Sequence, residues 1–109
     1  MAYDEDLAER IRDLLLAEPD LAEQKMFGGL AFLLGGNMAV CVGRDGILVR
    51  VDPAEREQLL ESTAASSTVM GGRTMKGFLD VEAADVRSEA QLASWVQRGA
   101  TRARALPAK

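Results

Sequence analysis

The sequence contains no histidine and only one cysteine, Cys41. Histidine is the commonest general base and the commonest metal ligand, so its absence removes the usual catalytic dyads and most zinc sites. A single cysteine cannot form an intramolecular disulfide, which fits a reducing compartment. We therefore expect a protein that is not an enzyme, with no catalytic residue, no metal and no cofactor. We expect Cys41, which lies between two valines, to be a buried structural thiol.

Long apolar runs are also missing. No stretch approaches the run of about 18 apolar residues that a membrane-spanning helix needs. The first six residues carry three carboxylates, whereas a secretory signal would begin with basic residues and continue into an apolar segment. The chain has 109 residues, 48% of them hydrophobic, which is enough for one domain with its own core. These observations predict a single cytoplasmic domain over residues 1–109.

Positive charge is in short supply. Thirteen basic residues against seventeen acidic ones give a net charge of −4, the wrong sign for a domain that neutralises DNA phosphates. The charges are unevenly placed, because residues 4–23 carry eight carboxylates and residues 98–109 carry four basic residues and no acid. Basic residues at the C-terminal end of a helix favour its dipole. We prefer that explanation to a nucleic-acid patch.

The apolar spacing predicts three helices. The first has an apolar face made of Leu7, Ile11, Leu14 and Leu15. The second should begin at Asp52–Glu55, which supplies a capping aspartate followed by proline, and run to about Leu60. The third follows a capping Ser88, and its apolar stripe consists of Leu92, Trp95, Val96, Gly99 and Ala103. The two small residues of that stripe should let this helix lie close to the element it covers.

Between the helices, the apolar runs are short and are separated by glycine-rich turns, which predicts antiparallel strands. The predicted strands span 24–27, 30–34, 38–42 and 47–51, followed after the second helix by a hairpin over 68–70 and 76–81. The expected fold class is therefore α+β. It is a two-layer sandwich of an antiparallel sheet and three helices, in the order helix, strands, helix, strands, helix.

Three glycine pairs could suggest a phosphate-binding loop. Neither Gly28-Gly29 nor Gly35-Gly36 precedes a helix directly or fits the G-x-G-x-x-G spacing, so both should be hairpin turns. The third pair opens residues 71–77, where two cations, a hydroxyl and a flexible backbone could hold an anion. A plain hairpin with solvated charges is the preferred alternative. The candidate residues for an anion or partner site are Gly72, Arg73, Thr74 and Lys76.

Two predicted strands, 30–34 and 38–42, are apolar at every position and hence on both faces. Three helices can cover only one face of such a sheet. The second face should be covered by a second copy of the chain, a partner protein, or the terminal segments at residues 1–3 and 106–109. We expect a homodimer formed by one alternate set of residues from these strands.

Three stretches resemble the N-terminal domain of the TfoX/Sxy family, bacterial regulators linked to natural competence. They are KMFGGLAFLLGGNMAVCVGRDGILVRV, GGRTMKGFLDVE and LASWVQRGATRARALPAK. The most specific segments are Met26–Gly29, Met75–Gly77 and Leu106–Lys109. The resemblance implies a secretion-chaperone-like α/β fold and supplies no catalytic residue. Well-known members carry a second domain and act as transcriptional coactivators, so we expect this chain to be a stand-alone single-domain member.

Two functions follow as hypotheses. The first is a regulatory or adaptor domain that binds protein, with a possible contact to the transcription machinery. The alternative is a direct anion or nucleic-acid binder that uses Arg73, Lys76 and the basic C-terminal helix. The absence of histidine, the resemblance and the two-faced apolar strands favour the first, and we expect no direct contact with nucleic acid or membrane.

Overall fold

The computed structural model of the protein describes residues 3–26 and 28–108, which fold into three α-helices and a six-stranded sheet. The helices are α1 (Glu5–Leu14), α2 (Arg56–Ser62) and α3 (Glu89–Ala105). The strands are β1 (Ala22–Met26), β2 (Gly29–Leu34), β3 (Asn37–Val42), β4 (Gly46–Arg50), β5 (Ser66–Met70) and β6 (Arg73–Glu82). Two short 3₁₀ turns, Pro53–Glu55 and Ala83–Val86, precede α2 and α3.

The sheet has the strand order β1-β2-β3-β4-β6-β5, and every neighbouring pair is antiparallel. The predicted α+β class and the predicted order of helices and strands are confirmed. Within the described residues, no helix combines the length and the apolar character needed to span a membrane.

The helix starts follow the predicted capping residues. The Asp4 carboxylate accepts a hydrogen bond from the Leu7 amide at 3.1 Å, and Ser88 forms a reciprocal capping box with Gln91. Asp52 also acts as a cap, but it caps the 3₁₀ turn, and α2 itself begins only at Arg56. The prediction for the second helix was therefore correct in position and wrong in type for its first turn. Such 3₁₀ turns are common at helix ends.

The main core lies between the helices and one face of the sheet. All three helices contribute to it, and they pack against alternate strand residues that include Phe32, Val40 and Val49. Leu15 joins this core, whereas Leu14, which was predicted to share its apolar face, remains 38% exposed. Leu14 lies at the margin of the apolar stripe of α1, next to α3 rather than beneath it.

At Gly99, helix α3 lies directly against the backbone of β3. The β2–β3 register shifts there, because Phe32 pairs with Val40 and Leu33 pairs with Met38, which leaves Ala39 as an extra residue. This bulge places both Ala39 and Val40 in the main core. A Cβ atom on Gly99 would collide with the Ala39 carbonyl oxygen. The predicted close contact of the small-residue stripe is thus confirmed at this position.

A second, smaller cluster lies on the face of the sheet without helices. Its buried members are Ala31, Met38, Cys41 and Leu48. Three side chains from the outer part of the sheet pack against it, namely Met26, Met70 and Phe78. Much of the cover that we expected from a partner or from the termini therefore comes from the chain's own strands β1, β5 and β6. Residues 106–108 do not contribute to this cluster, and Asn37 Nδ2 donates instead to the Pro107 carbonyl at 2.9 Å. Met1, Ala2 and Lys109, the other terminal residues considered as cover, lie outside the described residues.

The glycine pairs have different roles. Gly35 and Gly36 form the predicted β2–β3 turn with φ angles of 60° and 81°, a backbone conformation that suits glycine. We had expected Gly29 to lie in a turn, but it is the first residue of β2. A Cβ atom at this position would collide with the Val42 carbonyl oxygen. Phe27, the last residue of the predicted strand 24–27, lies outside the described residues.

We expect Gly99→Ala to destabilise the protein by about 1–3 kcal/mol, because the added methyl group forces α3 away from the sheet. The matched control is Gly77→Ala, where an added Cβ atom meets no atom within 4 Å. Urea unfolding monitored by circular dichroism measures both free energies. Equal stability of the two variants would contradict the close contact at Gly99.

Cys41 lies in the second cluster, as the predicted buried thiol. It is 4% exposed, and its Sγ lies 3.7 Å from the Met26 carbonyl oxygen. Burial raises the pKa of Cys41 from 9.0 to about 11, so the thiolate is disfavoured. A thiol in this state is a poor nucleophile and a poor metal ligand near neutral pH.

The raised pKa of Cys41 predicts a pH-dependent stability. The folded protein retains the thiol proton between pH 9 and 11 while the unfolded chain loses it, so this contribution is present below pH 9 and lost as the pH rises through 11. Between pH 9 and 11 the wild-type protein should lose about 2–3 kcal/mol of its free energy of unfolding through this effect, whereas Cys41→Ala should not. Urea unfolding of both proteins between pH 9 and 11 measures the two free energies of unfolding. If they changed with pH in parallel, the prediction would be contradicted. We also expect Cys41→Ser and Cys41→Ala to retain protein binding.

Candidate protein-binding face

The glycine-rich stretch at residues 71–77 forms a tight hairpin turn and the start of a strand. Gly71 and Gly72 adopt φ angles of 57° and 79°, as a two-residue turn between antiparallel strands requires. Arg73 is already the first residue of β6 and pairs with Met70. The predicted hairpin is confirmed, with strands that begin earlier than the sequence indicated.

Strand alternation separates the polar candidates of this stretch. Arg73 and Met75 point to one face of β6, while Thr74 points to the other. Lys76 lies in an irregular stretch, because the pairing with β5 shifts from Met75–Thr68 to Leu79–Ser67. Thr74 pairs with the exposed Val69 on the neighbouring strand. The structure therefore places Arg73 and Thr74 on opposite faces rather than around one ligand position, and Gly72 serves the turn.

The basic C-terminal helix is largely neutralised by the chain itself. Arg98 Nη1 lies 3.6 Å from Glu55, and Arg104 Nη2 lies 2.6 Å from both Glu18 and Asp20. Hydrogen bonds from Arg104 and from the Gly35 amide lower the pKa of Asp20 to about 2. These contacts fasten the end of α3 to the segment after α1. They leave fewer free cations for nucleic acid than the composition indicated, and Lys109 lies outside the described residues.

The helix-free face of the sheet collects the methionines of the described chain. Met26 and Met70 pack against the second cluster, which contains Met38. Met75 is the Cα partner of Thr68, two residues before Met70, and therefore shares its face. Met26, Met70, Met75 and the adjacent Phe78 are only half-buried. We call these four residues together with Met38 the methionine face.

Arg50 borders the methionine face. Its guanidinium carbon lies 4.7 Å from the centroid of the Phe78 ring, and its Nε donates to the Met38 carbonyl at 2.5 Å. Burial, and secondarily the charge of Arg102, lower the pKa of Arg50. This arginine thus fixes the Phe78 ring and satisfies a carbonyl next to the β-bulge, where the β3–β4 ladder has ended.

Two polar side chains near this face pair with each other. Thr68 is 2% exposed, and its hydroxyl donates to the Asp80 carboxylate at 3.0 Å. The pairing removes the cost of burying an unsatisfied hydroxyl in the middle of β5. Among the described residues, no group of three or more cysteine, aspartate and glutamate side chains is arranged to hold a metal ion.

Sequence reasoning did not identify the members of the methionine face as a group. The sequence predicted only that one alternate set of residues from 30–34 and 38–42 lies on the face without helices. In the structure, the residues from these two strands in the second cluster on that face are Ala31, Met38 and Cys41. The signal that could have added Met70 and Met75 is the two-residue Gly71-Gly72 turn, which pairs Met70 with Arg73. Met75 lies two residues beyond Arg73 and so shares the face of Met70.

Comparison with known proteins identifies a matching family. The sequence pattern of the TfoX N-terminal domain matches residues 13–103 of the chain, which include all six strands, α2, most of α3 and the methionine face. No curated protein and no solved structure matched the chain. The match covers most of the 109 residues, and the chain belongs to the TfoX N-terminal domain family.

Proposed function

We propose that this protein is a non-enzymatic regulatory or adaptor domain that acts by binding protein through its methionine face. The observation that carries the proposal is the set of half-buried apolar side chains, Met26, Met70, Met75 and Phe78, on the face of the sheet that no helix covers. An antiparallel sheet with one uncovered face normally presents polar side chains there.

Methionine suits this role because its unbranched side chain is flexible and its sulfur is polarizable. Such side chains can close over the second cluster in the free protein and rearrange against a partner. The membership in the TfoX N-terminal domain family supports a competence-regulator-like role at the level of the family. We propose that the regulation of transcription proceeds through protein contacts made by this face.

A second copy of the chain is the first partner that we propose. A two-fold axis lets the same apolar surface serve both subunits, which is the commonest symmetry of soluble oligomers. A stable homodimer would bury about 1,200 Å² or more in total. The second cluster is too well covered to supply that area, so the half-buried rim of the methionine face must supply it.

We expect the wild-type protein to sediment as a homodimer at micromolar concentration. Met70→Asp should yield a folded monomer, because a buried charge on the shared surface opposes association. The matched control is Val69→Asp, since Val69 precedes Met70 on β5, points to the opposite face and is 59% exposed. Sedimentation equilibrium gives the mass of each variant, and thermal melting shows whether each is folded.

Met75→Asp provides a second variant on the same face if Met70→Asp does not fold. A monomeric wild-type protein across the concentration range would contradict the homodimer. If Met70→Asp then also captured the same lysate proteins as Val69→Asp, the methionine face would not be the binding surface, and the proposed function would be wrong.

The alternative, direct binding of nucleic acid, has its own test. Since Arg98 and Arg104 are engaged by carboxylates, we expect only weak binding to DNA fragments, with a shallow dependence on salt. A titration from about 50 to 200 mM salt measures that slope. A fall in affinity of about 10³-fold or more, abolished by Arg73→Ala with Lys76→Ala, would favour the nucleic-acid function instead.

A further inference from the structure

The methionine face concentrates the accessible sulfur of the described residues. The chain has five methionines and one cysteine, and Met1 lies outside the described residues. Of the other four, Met26, Met70 and Met75 are half-buried on this face, whereas Met38 in the second cluster is only 5% exposed. Three thioethers on one surface are therefore open to a small oxidant in solution.

The one thiol of the chain does not compete for such an oxidant. Cys41 is 4% exposed, and burial raises its pKa to about 11, so the reactive thiolate is scarce near neutral pH. Oxidation of a cysteine requires thiolate character and access to solvent, and Cys41 lacks both. A peroxide that reaches the helix-free side of the sheet therefore reacts with thioether sulfur first.

Oxidation of these thioethers changes the polarity of the face. Hydrogen peroxide transfers one oxygen atom to the methionine sulfur, which loses two electrons, and the peroxide is reduced to water. The resulting sulfoxide is polar, so burying it against apolar side chains is unfavourable. Met26 and Met70 pack against the second cluster, and their oxidation places polar oxygen atoms in the cover of that cluster.

We propose, building on the protein binding proposed above, that Met26, Met70 and Met75 form a reversible oxidation site that controls binding by the methionine face. With reduced sulfur the face is apolar and binds its partner, and with sulfoxides it is polar and releases it. A methionine sulfoxide reductase reverses the change. Two thiols then supply two electrons and two protons, the oxygen leaves as water, and the thiols become a disulfide.

The first test locates the oxidised sulfur atoms. Hydrogen peroxide is added to the folded protein, and peptide mass mapping follows the gain of one oxygen atom at each methionine with time. The three half-buried methionines should oxidise at least about tenfold faster than Met38, and Cys41 should stay reduced. Equal rates at Met38 and at these three positions would overturn the proposal.

The second test measures the effect on binding. The control variant combines Met26→Leu, Met70→Leu and Met75→Leu, because leucine has a similar volume and a side chain without sulfur. In sedimentation equilibrium, peroxide should weaken the self-association of the wild type at least about tenfold, and a methionine sulfoxide reductase with dithiothreitol should restore it. Whatever the association constant of the leucine variant is, peroxide should leave it unchanged.

Failure of the oxidation site and failure of the proposed function give different results. If oxidised and reduced wild type associate equally tightly, the oxidation site is wrong and the homodimer stands. If the reduced wild type is already a monomer, the homodimer is wrong, and thermal melting decides on the oxidation site. Peroxide should then lower the melting temperature of the wild type by several degrees more than that of the leucine variant, because sulfoxides disturb the cover of the second cluster. Equal shifts in the two proteins would overturn the proposal.

Discussion

The contact between Gly99 and the β-bulge at Ala39 sets the spacing between the helical layer and the sheet. Helix α3 packs over β2, β3 and β4, and α1 packs beside α3, so the separation at this one position determines how deeply both helices lie. A bulge alone would push two consecutive side chains into the core, and glycine alone would leave a void. Together they let the backbone of α3 pack directly against the bulged strand.

Placing every helix on one side creates the opposite problem on the other. Apolar residues at the centre of β2, β3 and β4 need cover, and it comes from long flexible side chains of β1, β5 and β6. This cover stabilises the folded chain and yet consists of groups that can rearrange at little cost. A face of this kind can be buried twice, first by the chain itself and then by a partner.

Local rules predicted much of this fold from the sequence. The 3.6-residue spacing and the capping serine located α3, and the glycine turns located the hairpins. The margin position of Leu14 and the bulge at Ala39 could not be predicted, because both depend on where α3 crosses the sheet. The separation of Arg73 from Thr74 was missed for a different reason. The strand was expected to begin at Lys76, and its actual start at Arg73 fixes which side each residue faces.

The position of α3 along the chain affects how the protein is synthesised. The apolar side chains of β2, β3 and β4 that α3 covers emerge from the ribosome long before residues 89–105 do. Until that helix follows, the nascent sheet presents an open apolar surface to the cell, which is a recognised cause of aggregation. The main core therefore closes only after α3 has been synthesised, because α3 supplies Leu92, Trp95 and Val96 to it.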